Sequence, residues 1–260
     1  MKKIGYEIKE FFVEFKILLR SVPALMVTLF VVSVVGMNLL ANKSIDTHLN
    51  WLALDMGIIL SWLSFLTMDI ITKRFGPKAG IMISVLALLV NLLFALIFFI
   101  AAIIPGVWGE SYVEGSEKVI NTALNNTFRG TWYILLGSSI AFIVSAVVNC
   151  LLNFAIGKAF KKKPNSFVAF ALRSYVSTAI GQFVDNLLFA LIVSKVFFGW
   201  TLLQCVTCAL TGMVVELLCE VIFSPIGYAS LRRMEKDNVG KDYLDYIAMK
   251  KEAKINESTH

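Results

Sequence analysis

Six runs of twenty or more residues carry few charges: Val22–Ala41, Leu52–Ile71, Ile81–Ile104, Trp132–Ile156, Phe167–Val193 and Thr201–Phe223. A helix needs ~20 mostly apolar residues to cross the ~30 Å hydrocarbon core of a bilayer, and only a helix or a closed barrel satisfies its backbone there. The runs therefore predict an all-α membrane protein with six transmembrane helices. Composition agrees: 58% of the 260 residues are hydrophobic and 16% charged, against ~45–50% and ~25% in soluble domains. Mean hydropathy is +0.76. The longest gap between runs, Pro105–Thr131, is too short to build a core of its own. The expected organisation is a cytoplasmic amphipathic segment over residues 1–21, a six-helix transmembrane domain over 22–235 and a cytoplasmic tail over 236–260.

Positive residues orient the spans. Nineteen Lys and Arg fall in the N-terminal segment, the second and fourth loops and the C-terminal tail, whereas the other three loops hold only Lys43, Lys118, Arg129 and Lys195. The positive-inside bias places both termini in the cytoplasm. The sequence pI of about 9.1 needs no nucleic acid, because basic loops facing anionic headgroups produce it. The basic start and the run from Val22 are too long for a cleaved signal peptide. Upstream, Ile4, Ile8, Phe11, Phe12, Phe15, Leu18 and Leu19 recur at helical spacing among Lys and Glu, which suggests a helix on the membrane surface, with a solvated extension as the alternative.

Ionisable groups inside a span cost ~2.5–3.5 kcal/mol at mid-helix, so they are functional candidates. Beyond the first turn of each run, they are Asp69, Arg173, Asp185, Glu216 and Glu220. Asp69 and Arg173 lie toward the same side and form either a structural ion pair or part of the route of a solute. Thr178, Gly181, Gln182 and Asp185 share one helical face, with Asn186 beside it. That face reads as a binding surface or as a polar seam between helices. Glu216 and Glu220 are one turn apart, and two unpaired carboxylates so placed call for a shared proton or a bridging cation; the alternative is that Glu220 reaches the headgroups. The strings Asn38-Leu-Leu-Ala-Asn42 and Asn149-Cys-Leu-Leu-Asn153 echo each other, as two inverted three-helix repeats would. Cys205 and Cys208 stand in an apolar helix with no second pair to complete a metal site. With only His48 and His260, and no phosphate-binding or nucleophile-elbow string, neither a cofactor nor a metal is expected and the chain does not read as an enzyme.

Two strings resemble the queuosine precursor transporters, also called the vitamin uptake transporter family of bacterial six-helix membrane proteins. One is Thr67-Met-Asp69-Ile-Ile-Thr-Lys73-Arg74-Phe75-Gly76; the other joins Arg173 to Ser177-Thr-Ala-Ile-Gly-Gln182-Phe-Val-Asp185-Asn186. The resemblance runs from about Val22 to Arg233. It departs from the family pattern at Lys73, at Asn149 and at Glu216, where the family has Glu, an acidic residue and Lys. It implies import of 7-deazaguanine bases, as the cyano or aminomethyl precursor or as queuine, for salvage into tRNA modification. Asp185 and Glu216 would then accept the donors of a guanine-like edge, Gln182, Asn149 and Asn38 would complete it, and Trp62 or Phe189 would stack on the ring. Asp69, Arg173 and Glu220 would serve coupling or gating. The expected location is the bacterial cytoplasmic membrane. The expected partners are a small-molecule substrate and the lipid bilayer, with homo-oligomerisation open and no nucleic acid. The principal rival is the substrate-binding subunit of an energy-coupling-factor vitamin importer; an intramembrane enzyme and a membrane assembly factor are further rivals.

Overall fold

The computed structural model describes residues 2–108, 115–159 and 167–258, and within these the side chains of Asp69, Asn149, Arg173 and Glu220 lie outside the described set. The helices are α1 (Lys2–Ser21), α2 (Ala24–Leu40), α3 (Ile58–Phe75), α4 (Pro77–Ile103), α5 (Glu117–Ala159), α6 (Phe167–Phe189), α7 (Lys195–Phe198), α8 (Leu202–Lys236) and α9 (Lys241–Ser258). Strands β1 (Ser44–Ile45) and β2 (Leu54–Asp55) pair antiparallel, Ser44 against Asp55. A π-helical turn, Ala190–Ser194, joins α6 to α7.

Four helical stretches among the described residues are long and apolar enough to cross a membrane: Pro77–Ile103, Lys118–Ser145, Thr178–Phe198 and Leu202–Phe223. Lys9–Ser21 and Ala24–Leu40, bent by 106°, make a fifth if taken as one span. The chain is thus a multi-pass helical membrane protein, with four to five spans directly evident where the sequence predicts six. Helix α3 has 18 residues and carries Asp69, Lys73 and Arg74. Leu89, Leu92, Leu93, Ile97, Ile143 and Val147 stay exposed, the arrangement expected of side chains solvated by lipid. The run Leu52–Ile71 is corrected at its start. Leu54 and Asp55 are extended and α3 begins at Ile58, because the Asp55 carboxylate accepts the Gly57 N–H at 2.8 Å and turns the chain there. Gly57 fits because a Cβ would lie 2.8 Å from the Met37 carbonyl oxygen.

The chain divides into two compact units. The first gathers Met1–Ser33, Leu63–Ala87 and Ile222–His260. Gly76, with φ of 91°, ends α3, and Pro77 opens α4, the usual division of labour between these residues at helix ends. The segment expected to be a tail is helix α9, and it is tied down. Arg74 donates from Nε and Nη2 to the Val239 carbonyl at 3.2 and 2.8 Å. The Phe75 ring meets Tyr243 edge-on. Lys250 pairs with Glu10 at 2.6 Å and with Glu14 at 2.9 Å, and Lys78 pairs with Glu14 at 2.5 Å. Glu14 and Leu18 are fully buried beneath these contacts. Two lysines around one carboxylate supply the pairing that a buried charge requires.

The same network shifts two groups on α9. Burial lowers the Lys250 ammonium pKa, but hydrogen bonds and charges from Glu10 and Glu14 outweigh burial and hold it above its ordinary value. Burial, followed by the charge and hydrogen bond of Glu14, pushes the Tyr243 phenol up to about 12. Both shifts favour the protonated folded form. Their contribution to docking α9 is fully present below the unfolded values and is lost as pH rises through the folded ones. In a difference spectrum between the protein and its Tyr243→Phe variant, the lost phenolate signal should therefore develop near pH 12 and not near the ordinary 10.0; titration near 10.0 would show that Tyr243 is not enclosed.

The second unit gathers Val34–Trp62 and Leu88–Val221. One apolar cluster joins Ala53, Ala190, Trp200, Cys205 and Cys208, so Cys205 and Cys208 are packing residues. Another joins Ala41, Ile134 and Val193, with Phe189 and Ile192 packed against it. Helix α5 has 43 residues, about 65 Å at 1.5 Å per residue, and so outruns the bilayer core. Its first turns hold Trp108, whose indole Nε1 donates to Asn125 at 2.7 Å and whose backbone N–H donates to Asn121 at 2.6 Å. At the π-helical turn the Tyr133 hydroxyl donates to the Ile192 carbonyl at 3.0 Å. Gly137 gives the turn room, since a Cβ there would meet Ile192 at 3.2 Å and collide with Val193.

Candidate functional site

Within the second unit, α3, α5, α6 and α8 bring a set of polar side chains together. Asp185 of α6 accepts from the Ser145 hydroxyl of α5 at 3.0 Å. One residue on, Asn186 donates its amide to Glu216 Oε2 of α8 at 3.2 Å. Helix α8 admits this amide because residue 212 is glycine: a Cβ would stand 2.7 Å from the Asn186 amide nitrogen. Ser61 of α3 also hydrogen-bonds Glu216, and the carboxyls of Asp185, Glu216 and Asp55 lie close enough to interact through space. Among the described residues no ion pair reaches Asp185 or Glu216; the donors that meet them are neutral hydroxyls and an amide.

Gln182 precedes Asp185 by almost one turn of α6 and is 2% exposed. Neither its amide oxygen nor its amide nitrogen has a partner among the described residues. A buried amide left open on both sides costs ~1–3 kcal/mol per unsatisfied group, a cost that a bound molecule or ordered water removes. Glu216 is equally hidden, at 2% exposed. Among the described residues no group of three His, Cys, Asp or Glu is arranged to hold a metal ion. The arrangement offers acceptors on two carboxyls and both functions of one amide, which suits a planar ligand with adjacent N–H donors and a carbonyl.

The structure thus brings Asp185, Glu216 and Gln182 into one unit. Asn38 is buried in the same unit, but its amide donates to the Val34 carbonyl of its own helix at 2.9 Å. Phe189 packs against the Ala41, Ile134 and Val193 cluster. Trp62 is half-buried directly after Ser61. Asp69, Asn149, Arg173 and Glu220 lie on described helices, but what their side chains meet is outside the described set. Three participants escaped the sequence reading. Ser61 and Ser145 are hydroxyls in apolar helices, where such groups ordinarily bond back to their own turn. Asp55, which interacts through space with Glu216, stands at the head of its apolar run, where a charge reads as part of the preceding loop.

A multi-pass helical membrane protein with acidic groups that meet only neutral donors among the described residues, and an open amide beside them, has the make-up of a solute carrier. The family described as "Putative vitamin uptake transporter" matches residues 55–230, well over half of the chain, and the chain belongs to that family. No curated protein and no solved structure matches it. The matched stretch runs from Asp55 through Ser61, Ser145, Gln182, Asp185, Asn186 and Glu216, so the whole polar set falls inside it.

Proposed function

We propose that the chain imports queuosine precursors, the 7-deazaguanine bases, across the bacterial cytoplasmic membrane for salvage into tRNA. The observation that carries this reading is the pairing of half-buried Asp185 and buried Glu216 with neutral donors, beside the open amide of Gln182. A guanine-like edge presents adjacent N–H donors that a carboxylate accepts in a two-point contact, and a carbonyl that an amide N–H can meet. In this reading Asp185 and Glu216 hold the donors, and Gln182, Asn149 and Asn38 complete the edge. Trp62 or Phe189 stacks on the ring. Asp69, Arg173 and Glu220 act in coupling or gating. The chain crosses the membrane six times as two inverted three-helix repeats, with both termini in the cytoplasm. An aminomethyl or cyclopentenyl-amine substituent is cationic, so two carboxyls favour it over the neutral cyano group.

The test is restoration of queuosine in tRNA, read by a boronate mobility shift. The host is a bacterial strain unable to make the precursors and lacking its own importer, with each base supplied separately at nanomolar concentration. Expression of this chain alone should restore the modification, with the cationic bases effective at the lowest concentration. Failure with every base, despite expression in the membrane, would overturn the reading in favour of an importer that needs an ATPase partner. Equal competition by cyano and aminomethyl bases would overturn the preference alone.

A further inference from the structure

Helix α1 shows three lengthwise zones rather than two. Glu10, Glu14 and Leu18 follow one side, and this side is taken: Leu18 and Glu14 are fully buried, and both acids are held by lysines of α4 and α9. Phe12 and Leu19 follow a second side and remain exposed at 62% and 38%, while Phe11, 41% exposed, stands at its border with the first. Lys9, Lys16 and Arg20 follow a third, next to the aromatic side, and are exposed. At ~100° per residue, Lys9, Lys16 and Arg20 form one row, as do Phe12 and Leu19. Among the described residues none of the three cations is ion-paired, while both acids of this stretch are neutralised from within. Among the described side chains, from Lys9 onward, the exposed surface of α1 therefore carries large apolar groups beside cations and no unneutralised acid.

We propose that this surface docks on an anionic phospholipid bilayer, with the Phe12 and Leu19 side chains among the acyl chains and Lys9, Lys16 and Arg20 at the headgroups. Charge complementarity and geometry select that occupant. A row of cations bordering an apolar row matches the boundary between anionic headgroups and hydrocarbon. The 106° bend between Lys9–Ser21 and Ala24–Leu40 lays α1 across the direction of the apolar helix that follows it, as a helix lying in the plane of the surface requires. The C-terminal helix takes part in this orientation. By pairing with Glu10 and Glu14, Lys250 fixes which side of α1 faces inward, and so which side is offered to lipid. A freely turning amphipathic helix would bury Leu18 in the membrane with its apolar neighbours; here Leu18 is turned away from it.

The test is hydrogen–deuterium exchange of the full chain in nanodiscs made of phosphatidylcholine alone or mixed with an equal part of phosphatidylglycerol. Exchange across Lys9–Ser21 should slow at least ~5-fold in the anionic bilayer, since each cation at such a surface contributes ~1 kcal/mol. The variant carrying Lys9→Gln, Lys16→Gln and Arg20→Gln should exchange equally in both bilayers, with the α4 segment Met82–Ala95 protected in every sample as the measure of an intact fold. Phe12→Asn, at a site already exposed, should speed exchange of α1 in both bilayers and keeps the test open if the triple variant loses protection in α4. Equal exchange of the parent protein in the two bilayers would overturn the proposal and leave the surface to a protein partner. Slowing that survives in an intact triple variant, or an unchanged Phe12→Asn, would overturn it as well.

Discussion

Glu216→Gln should leave a chain that folds and reaches the membrane but takes up substrate ~10–100-fold less efficiently, and Asp185→Asn should do the same. A glutamine has the shape of the glutamate and can still accept from Asn186 and Ser61, so packing around Gly212 is preserved. It turns one acceptor into a donor. A ligand that brings two N–H groups to this carboxyl would then meet an N–H with an N–H. Hydrogen bonds to a charged group contribute ~1.5–3 kcal/mol, and each 1.4 kcal/mol is a factor of ~10. Ser145→Ala removes only the hydroxyl that orients Asp185 and should cost less than ~10-fold. Uptake of a labelled base into cells or vesicles, resolved into KM and Vmax, measures all three. Full activity in Asp185→Asn or Glu216→Gln would remove that carboxyl from the substrate's path.

Gly240→Val should release α9 from the first unit and cost ~3 kcal/mol. The φ of 78° at Gly240 costs an L-residue ~1–2 kcal/mol. A side chain there collides with the Phe75 ring, which is itself buried, and overpacking of this kind costs ~1–3 kcal/mol. The ring cannot move aside without losing Tyr243. Once α9 lets go, Glu14 keeps only Lys78, so part of the network goes with it. Limited trypsin digestion reads the result, because Lys241, Lys250, Lys251 and Lys254 lie in the helix. The variant should be trimmed there long before the parent protein. Equal rates would mean that the turn at Gly240 does not govern docking.

What the sequence made legible follows from what hydropathy measures. The apolar runs locate α2, α4, α5, α6 and α8, because lipid-solvated residues must be apolar wherever the backbone is helical. They say less about where helices begin. The run Trp132–Ile156 lies inside a helix that starts at Glu117, since polar residues extend a helix in water as readily as apolar ones do in lipid. The run Leu52–Ile71 starts too early, because Asp55 caps a turn that no window of hydropathy resolves. Helix α9 was read as a tail. Its partners Glu10, Glu14, Arg74 and Phe75 stand some 165 to 240 residues away, and nothing local announces them. In the site, Asp185, Glu216 and Gln182 were visible because a polar side chain in an apolar run is costly. Ser61 and Ser145 were not, because a serine in a helix can satisfy itself. The pairing of Asn186 with Glu216 depends on Gly212 and so on the approach of two helices.

The π-helical turn at Ala190–Ser194 gives the end of α6 a phase of its own. One additional residue accommodated in a turn rotates everything beyond it by ~100° relative to an unbroken α-helix. Asp185 and Asn186, before it, answer to Ser145 and Glu216, whereas Ile192 and Val193 answer to Tyr133, Gly137 and Ile134. The two stretches of one continuous helix are thus free to keep different neighbours in register. Removing a single residue from this turn would not shorten the helix so much as force a choice between them, and either the carboxyl contacts or the seat beside α5 would have to be given up.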